Sequence, residues 1–218
     1  MKNKEGKRKS STILKDAIAL FLITLISGLA LSYIYELTKG PIAVRAEEDK
    51  IAAYQKVYAD ASSFEKDEDL MNMVAETDLT SLNPDYKGIT INEVNKAFDA
   101  NKKMLGYIVK VSTTQGYKDV ITIAIGYTKE GVVTGMEPLA LNETAGLGMN
   151  AAKPEFKDQF TNKKVEAFEV TKTGATADNQ IDAISSATIT SRAVTNAVNA
   201  GISFIKQYST ELGGGTNE

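Results

Sequence analysis

A run of hydroxyl-bearing and small side chains over residues 182–191 is the part of this sequence best suited to chemistry. The run reads DAISSATITS, and its hydroxyl groups belong to Ser185, Ser186, Thr188, Thr190 and Ser191. It directly precedes a predicted helix, whose first backbone N–H groups and dipole favour an anion such as phosphate. The small side chains also allow a flat ligand to approach the backbone. A capping loop without any ligand is the simpler interpretation of the same residues.

The composition removes many other kinds of site. The 218-residue sequence contains no cysteine, histidine or tryptophan. Without cysteine there is no disulfide, iron–sulfur cluster or thiol nucleophile, and without histidine there is no Ser-His-Asp triad and almost no zinc site. We therefore expect neither catalytic nor metal-ligating residues in this chain. A redox role would need a non-metal cofactor, or a metal held by oxygen ligands alone.

The charge is distributed unevenly along the chain. Residues 1–15 carry six basic side chains and one acidic side chain, whereas the remainder carries 19 basic and 27 acidic ones. A basic head before an acidic body argues against a nucleic-acid partner and favours an anchor in a lipid bilayer.

An apolar stretch follows the basic head. Residues 17–35 are 19 consecutive uncharged residues, a length typical of a membrane-spanning helix. The basic head predicts a cytoplasmic N-terminus, and Tyr33 and Tyr35 fall where an aromatic belt would meet the far interface. Two alternatives stay open. A cleaved signal peptide has a shorter apolar core that ends in small residues, and a buried core helix needs no membrane.

The elements after this stretch predict an α+β domain with an antiparallel sheet and flanking helices. Periodicity predicts helices over 43–61 and 190–208. A short helix is expected over 154–160, with Pro154 at its start, and another over 91–101. Alternating β-branched residues predict strands over 104–113, 120–127, 132–141 and 165–170, the first three as an antiparallel meander. Thr190 or Ser191 is the expected cap of the last helix.

The hydroxyl-rich run also resembles a known motif. The flavinylation motif of the FMN-binding domain family is similar to Asp182-x-x-Ser185-x-Ala187-Thr188-x-Thr190. In that family a dedicated flavin transferase joins the threonine after alanine to the FMN phosphate by a phosphoester. The resemblance implies that Thr188 is the attachment residue and that Asp182 and Ser185 belong to the motif read by the transferase. Ser186 stands where the family usually has glycine.

A second threonine competes for this role. The segment Thr173-Gly174-Ala175-Thr176 copies the end of the motif more literally than the segment around Thr188 does. Val170 stands three residues before Thr173, where the motif needs aspartate, and no amphipathic helix is predicted after Thr176. A phosphate at Thr176 would therefore lack the helix start that favours it, and we predict attachment at Thr188.

The loop at 142–148 resembles a second family motif. The family has Glu-Thr-Pro-Gly-Leu-Gly, and the residues here are Glu143, Thr144, Ala145, Gly146, Leu147 and Gly148. The resemblance implies that this loop lies against the flavin ring. Its two glycines would let the backbone come close, and Thr144 or an amide could hydrogen-bond the ring edge. A glycine turn between two elements is the alternative.

The resemblance extends from the anchor to the last helix and includes the flavoprotein subunits of Rnf-type electron transport complexes and sodium-pumping quinone reductases. It implies a chain that relays electrons through covalent FMN, in a complex coupling ferredoxin/NAD electron transfer to ion translocation. The implied partners are the other complex subunits and the flavin transferase. The expected location is the inner cell membrane, in a single pass with the flavin domain outside the cytoplasm.

The expected divisions are a basic cytoplasmic head (1–15), a transmembrane helix (16–36), a helical connector (37–84), the FMN-binding domain (85–210) and a flexible tail (211–218). Among the aromatic residues, the sequence does not distinguish Tyr107, Tyr117 and Tyr127 as candidates for contact with a flavin. Two other functions stay open. One is a free-standing surface flavoprotein, and the other is an anchored binding or scaffold domain without a cofactor.

Overall fold

The computed structural model describes residues 3–213, with side chains described for residues 13–208. The side chains of the basic residues at positions 2–9 and the end of the glycine-rich tail lie outside the described residues. The chain divides into two compact units, Met1–Glu48 and Asp49–Glu218.

The first unit consists of most of one long helix. Helix α1 is 55 residues long and runs over Asn3–Val57. Within its described part, the segment Ile13–Val57 contains an 18-residue window with a mean hydropathy of 2.3, so the helix is long and apolar enough to cross a membrane. The helix continues through Pro41, whereas the sequence predicted a separate helix from residue 43. Pro41 lacks the N–H that would bond to the carbonyl of Leu37.

The second unit is built on a five-stranded antiparallel sheet, in the order β1-β2-β3-β4-β5. The strands are β1 Ser63–Lys66, β2 Ile89–Phe98, β3 Met104–Thr113, β4 Ile121–Thr128 and β5 Val133–Ala140. The predicted three-stranded meander corresponds to β3, β4 and β5 and is confirmed, as is the α+β fold class.

The prediction of a helix over 91–101 is wrong, because this segment belongs to strand β2. Its pairing with β3 shifts between Ile91 and Glu93 and again between Ala97 and Phe98. The first irregularity interrupts the two-residue alternation, so that Ile91 and Val94 lie three residues apart in the same core cluster, while Ala97 is buried in the cluster on the other face of the sheet. A β-bulge therefore produced a spacing that resembles the period of a helix.

Each face of the sheet is covered by one helix. The end of α1 buries Tyr54 and Val57 in a cluster with Ala97, Ile108 and Ala124 of the sheet. Helix α5, Thr188–Gly213, packs on β3 and β4 with the apolar stripe that the sequence predicted. A Cβ added at Gly201 would lie 3.0 Å from Cδ1 of Ile125, so this glycine lets α5 approach the sheet closely.

Helix α5 is longer at both ends than the predicted range 190–208. Its first helical residue is Thr188, so the expected cap at Thr190 or Ser191 is wrong. Both residues lie inside the first turn and are buried, at 1% and 0% exposure.

The remaining elements are short. They are α2 Glu68–Glu76, α3 Leu79–Leu82, α4 Pro154–Lys157, β6 Glu169–Thr171 and β7 Gln180–Asp182, with 3₁₀ turns at Pro84–Tyr86, Gly148–Ala152 and Asp158–Phe160. The predicted helix over 154–160 is thus α4 followed by a 3₁₀ turn. In place of the strand predicted over 165–170, the structure has the shorter and later strand β6, which pairs in parallel with β7. Strand β7 ends at Asp182, the first residue of the hydroxyl-rich run 182–191, and the last four residues of that run form the first turn of α5.

Candidate functional site

The turn between β7 and α5 is organised by the hydroxyl of Ser191. This oxygen accepts a hydrogen bond from the N–H of Ile184 at 2.9 Å and donates to the carbonyl of Ala187 at 3.0 Å. The N–H of Ala187 in turn donates to the carbonyl of Ile184 at 2.9 Å. Ser191 therefore stabilises the turn although it belongs to the helix. The sequence did not predict this role, because it depends on how the chain approaches the helix in the folded structure.

Ser186 occupies a left-handed backbone conformation in this turn, with φ at 61°. Glycine adopts this conformation without steric cost, whereas other residues do so at a cost of roughly 1–2 kcal/mol. The geometry gives a physical reason why the related motif usually has glycine at this position. The substitution keeps the turn but makes it less stable locally.

The first turn of α5 presents three backbone donors beside a free hydroxyl. The first intrahelical bond runs from the N–H of Ser191 to the carbonyl of Ala187 at 3.0 Å. The amides of residues 188–190 precede it and have no acceptor among the described residues, as expected for a helix N-terminus. The hydroxyl of Thr188 also has no hydrogen-bond partner among those residues. Unpaired amides and the helix dipole together favour a phosphate at this point.

A cavity of about 510 Å³ opens beside this helix start. It is lined by the two segments that the sequence singled out and by the turn between β3 and β4: Tyr117, Glu143, Thr144, Leu147, Gly148, Ser186, Ala187, Thr188, Ile189 and Thr190. Three of the expected site residues, Gly146, Asp182 and Ser185, are not among the lining residues.

Glu143 connects two of the segments that form the cavity. Its side chain is 4% exposed, and Oε1 accepts hydrogen bonds from the N–H of Tyr117 at 2.8 Å and of Lys118 at 3.3 Å. The other oxygen, Oε2, is buried without a partner among the described residues. Such an atom is costly to leave unpaired. Glu143 therefore joins the two loops at some cost in stability and keeps an acceptor beside the cavity.

Gly148 has no room for a side chain. An added Cβ would lie 2.7 Å from Cβ of Glu143 and 2.7 Å from Oγ1 of Thr190. Glycine at this position therefore lets the 143–148 loop pack against the first turn of α5. The cavity, the close-packed loop and the unpartnered acceptor fit a flat polar ring joined to a phosphate.

Gly146 acts through its backbone and not as a lining residue. Its φ is 76°, and an added Cβ would meet nothing within 4 Å. The turn is closed by the N–H of Leu147 donating to the carbonyl of Thr144 at 3.1 Å. The glycine thus supplies the left-handed conformation that directs Leu147 into the cavity wall.

A second link ties the same two loops together at the surface. Nδ2 of Asn142 donates to Oδ2 of Asp119 at 3.0 Å. This bond and one from the N–H of Val120 hold the pKa of the Asp119 carboxyl below its usual value.

Asp182 and Ser185 lie on the outside of the turn. The N–H of Asp182 donates to Oε1 of Gln159 at 2.7 Å, while the carboxylate is exposed. Ser185 is also exposed. Both side chains are accessible from solvent, and neither lines the cavity.

The competing threonine has different surroundings. Thr176 lies between β6 and β7, and its hydroxyl and N–H both donate to Oε1 of Gln180, at 3.1 and 3.0 Å. No helix follows it directly in the described structure, where β7 comes next. Thr176 therefore has an occupied hydroxyl and lacks the unpaired amides found beside Thr188.

Of the three candidate tyrosines, only Tyr117 lines the cavity. Tyr127 is buried in β4, and burial raises the pKa of its phenol to about 12. Burial likewise raises the pKa of Tyr107 on β3. Tyr117 is 71% exposed in the turn between these strands.

Known proteins are similar to this chain in sequence over most of its length. A model of the FMN-binding domain matches residues 116–203. The chain is 30% identical over 201 residues to the G subunit of the Na⁺-translocating ferredoxin:NAD⁺ oxidoreductase complex of Acetobacterium woodii, covering 90% of this chain and 93% of the relative. It is 29% identical over 209 residues to the G subunit of the proton-translocating ferredoxin:NAD⁺ oxidoreductase complex of Clostridium ljungdahlii, covering 92% and 97%. The crystal structure of Shewanella oneidensis NqrC aligns with a TM-score of 0.48 and 20% identity, covering 56% of this chain and 61% of that one.

Proposed function

The chain belongs to the family of G subunits of ion-translocating oxidoreductase complexes, and on that premise we propose that it relays electrons through one FMN covalently bound at Thr188. The observation that carries this proposal is the free hydroxyl of Thr188 at the start of α5, beside three unpaired amides and a cavity of about 510 Å³. The relatives in Acetobacterium woodii and Clostridium ljungdahlii carry names of ferredoxin:NAD⁺ oxidoreductase complexes. We assign this chain to the same type of electron transfer, coupled to ion translocation.

In the proposed linkage, Oγ1 of Thr188 is bonded to the phosphorus of FMN, and the net change is the addition of one FMN less water. As Oγ1 bonds to the phosphorus, the phosphorus–oxygen bond to the leaving group of the flavin nucleotide donor breaks, and that group departs with the proton of the Thr188 hydroxyl. A flavin transferase performs this exchange. The amides of residues 189 and 190 then donate to the remaining phosphate oxygens. When bound, the flavin supplies the electron-carrying chemistry that this histidine- and cysteine-free chain lacks.

The residues around the cavity have separate tasks in this proposal. Leu147 and Ile189 provide apolar wall for the ring, Gly148 gives close approach, and Thr144 or Thr190 offers a hydroxyl to its polar edge. Asp182 and Ser185 are exposed and lie where a transferase could contact them during attachment. A covalent bond also prevents the loss of the cofactor by dissociation into a large outer volume.

The apolar segment of α1 and the basic residues before it support the proposed location. We place residues 16–36 across the inner cell membrane in a single pass, with the 1–15 head in the cytoplasm and the 85–210 domain outside it. The 37–84 segment connects the two, and from Asp49 on it belongs to the second compact unit. The proposed tail is 211–218, of which 211–213 still belong to α5. The other subunits of the membrane complex are the proposed partners. A reporter that works only outside the cytoplasm should be active when fused after Glu218, and activity of a cytoplasmic reporter alone would refute this orientation.

The attachment is tested by measuring the intact mass of the full chain after co-production with a flavin transferase. The native chain should carry one FMN less water, and its band should fluoresce on a denaturing gel. Thr188→Val should abolish both signals while nearly preserving shape, whereas Thr188→Ser keeps a hydroxyl and should retain partial attachment. Thr176→Val is the matched control and should leave the mass unchanged. Attached flavin in the Thr188→Val protein, or its loss in the Thr176→Val protein, would disprove the assignment.

A further inference from the structure

The proposed function leaves the exposed ring of Tyr117 unexplained. Its side chain is 71% exposed, although it belongs to the turn between two buried strands. Large aromatic surfaces in contact with water commonly mark a place where something binds. Tyr117 also lines the cavity beside Thr188.

The backbone that carries this ring is held firmly. The N–H of Tyr117 donates to Oε1 of the buried Glu143 at 2.8 Å. A Cβ added at the preceding Gly116 would lie 2.7 Å from the same oxygen and 2.6 Å from the carbonyl oxygen of Asp119. The turn is therefore closely packed and fixed by a carboxylate, while the side chain that it presents has no core to pack against. Such a combination suits a side chain that is positioned for a ligand.

Two other exposed apolar side chains line the same cavity. Leu147 is 38% exposed and Ile189 is 54% exposed. Within the described residues 49–208, the exposed large hydrophobic side chains are Ile51, Tyr117, Val120, Leu147, Met149 and Ile189. Half of them line this single cavity. A flat aromatic ligand there would remove much of their apolar surface from water.

We propose that Tyr117 stacks on the flavin ring and acts as its positioning residue, shielding one part of the ring from solvent. Leu147 and Ile189 supply the aliphatic wall beside it. The inference rests on the proposed function, because it requires the flavin to occupy this cavity. Stacked aromatic rings attract each other beyond the effect of area burial. A phenol in contact with an excited flavin also donates an electron to it and quenches its fluorescence.

The test uses the full chain in detergent, flavinylated by co-production with the transferase. The variants are Tyr117→Leu, which removes the aromatic ring, and Tyr117→Phe, which keeps the ring but removes the phenol. Val120→Ser is the matched control, because Val120 is exposed in the same turn and does not line the cavity. Flavin emission and its quenching by acrylamide are measured for each protein, before and after denaturation. Both values are normalised to the flavin found by intact mass.

The two substitutions should separate stacking from quenching. Native wild-type protein should emit several-fold less than the same protein after denaturation. Tyr117→Phe should regain emission but remain shielded from acrylamide. Tyr117→Leu should regain emission and show at least a twofold larger acrylamide quenching constant, and Val120→Ser should match the wild type.

The outcomes distinguish this inference from the proposed function. If the wild-type chain carries no flavin by mass, the proposed function fails and the inference fails with it. If flavin is attached but Tyr117→Leu matches the wild type in both emission and quenching, the inference alone is overturned. If Tyr117→Leu does not accept flavin, the test uses the Tyr117→Phe protein instead. Flavin emission in that protein equal to the wild type would overturn the proposed stacking.

Discussion

The carboxylate of Glu143 accepts a hydrogen bond from the backbone N–H of Tyr117 across 26 positions of sequence, at 2.8 Å. This contact joins the 143–148 loop to the turn between β3 and β4, and the cavity lies where the two meet the first turn of α5. The carboxylate is 4% exposed and has one oxygen without a partner among the described residues. The side chain of Glu143 therefore holds the two loops together, while its unpaired oxygen lowers local stability.

Replacing Glu143 should change both the stability of the protein and its flavin content. Glu143→Ala leaves the N–H of Tyr117 without its acceptor, and losing the buried bonds should cost about 1–3 kcal/mol of unfolding free energy, reduced by the relief of the unpaired oxygen. Glu143→Gln keeps an acceptor for Tyr117 and should retain more flavin than Glu143→Ala. Thermal unfolding in detergent and flavin content by absorbance measure the two effects. Equal flavin content in both variants would contradict the role of the loop contact.

Gly148 should tolerate no larger residue. Gly148→Ala places a Cβ 2.7 Å from Cβ of Glu143 and from Oγ1 of Thr190, so the loop or the helix start must move. Overpacking of this kind costs about 1–3 kcal/mol. We expect a lower unfolding temperature together with reduced flavin attachment, measured by thermal unfolding in detergent and by intact mass.

Gly174→Ala is the control for this substitution. Gly174 has φ at 95° and open space around an added Cβ, and it lies outside the cavity. The control should lose stability through backbone strain and keep full flavin attachment. Normal attachment in the Gly148→Ala protein would show that the loop adapts and that close packing there is not needed.

Ser186 offers a test of backbone strain within one turn. Ser186→Gly should relieve the left-handed conformation at φ 61°, for a gain of up to about 1 kcal/mol after the entropy of glycine in the unfolded chain is subtracted. Ser185→Gly, at the neighbouring position without a positive φ, brings only that entropy and should destabilise by about 0.5–1 kcal/mol. Denaturation midpoints of the two variants should therefore shift in opposite directions. A shift of the same sign in both would mean that the conformation of Ser186 is not strained.

The sequence predicted those helices and strands whose hydrophobic pattern can be recognised within the segment itself. Strand β3 has the predicted bounds, and the apolar stripe of α5 through Val194, Val198 and Ile202 is buried as expected. Strand β2 was missed because its bulge breaks the alternation, so its pairing with β3 had to be known first. Local periodicity is insufficient wherever register decides which side chains are buried.

The candidate site was predictable to a similar extent. The sequence placed Thr188 next to a helix start, and the structure makes it the first residue of α5. The sequence could not choose Tyr117 over Tyr107 and Tyr127, because the choice depends on which tyrosine lies outside the paired strands. It also took Ser191 for a cap, whereas the buried hydroxyl bonds back to Ile184 and Ala187. Such contacts depend on the path of the chain before the helix and leave no mark in the pattern of residue types.

The pH dependence of stability should reflect Glu137 of β5. Burial disfavours the charged form of this side chain, but hydrogen bonds from Lys157 and Lys56 outweigh that effect and hold its pKa below the ordinary value of 4.5. A carboxyl whose pKa is lowered by folding stabilises the protein above its unfolded pKa, and that contribution is lost as the pH falls through the folded pKa. Unfolding temperatures should therefore decline below about pH 4.5 in the wild type, and Glu137→Gln should flatten part of this decline while lowering stability at pH 7.

Glu166→Gln is the matched control, since Glu166 also pairs with a lysine, Lys206, but its side chain is 97% exposed. An exposed ion pair contributes little to stability, so Glu166→Gln should leave the decline of the unfolding temperature at low pH almost unchanged. An equal flattening of that decline in both variants would contradict the role assigned to the half-buried Glu137.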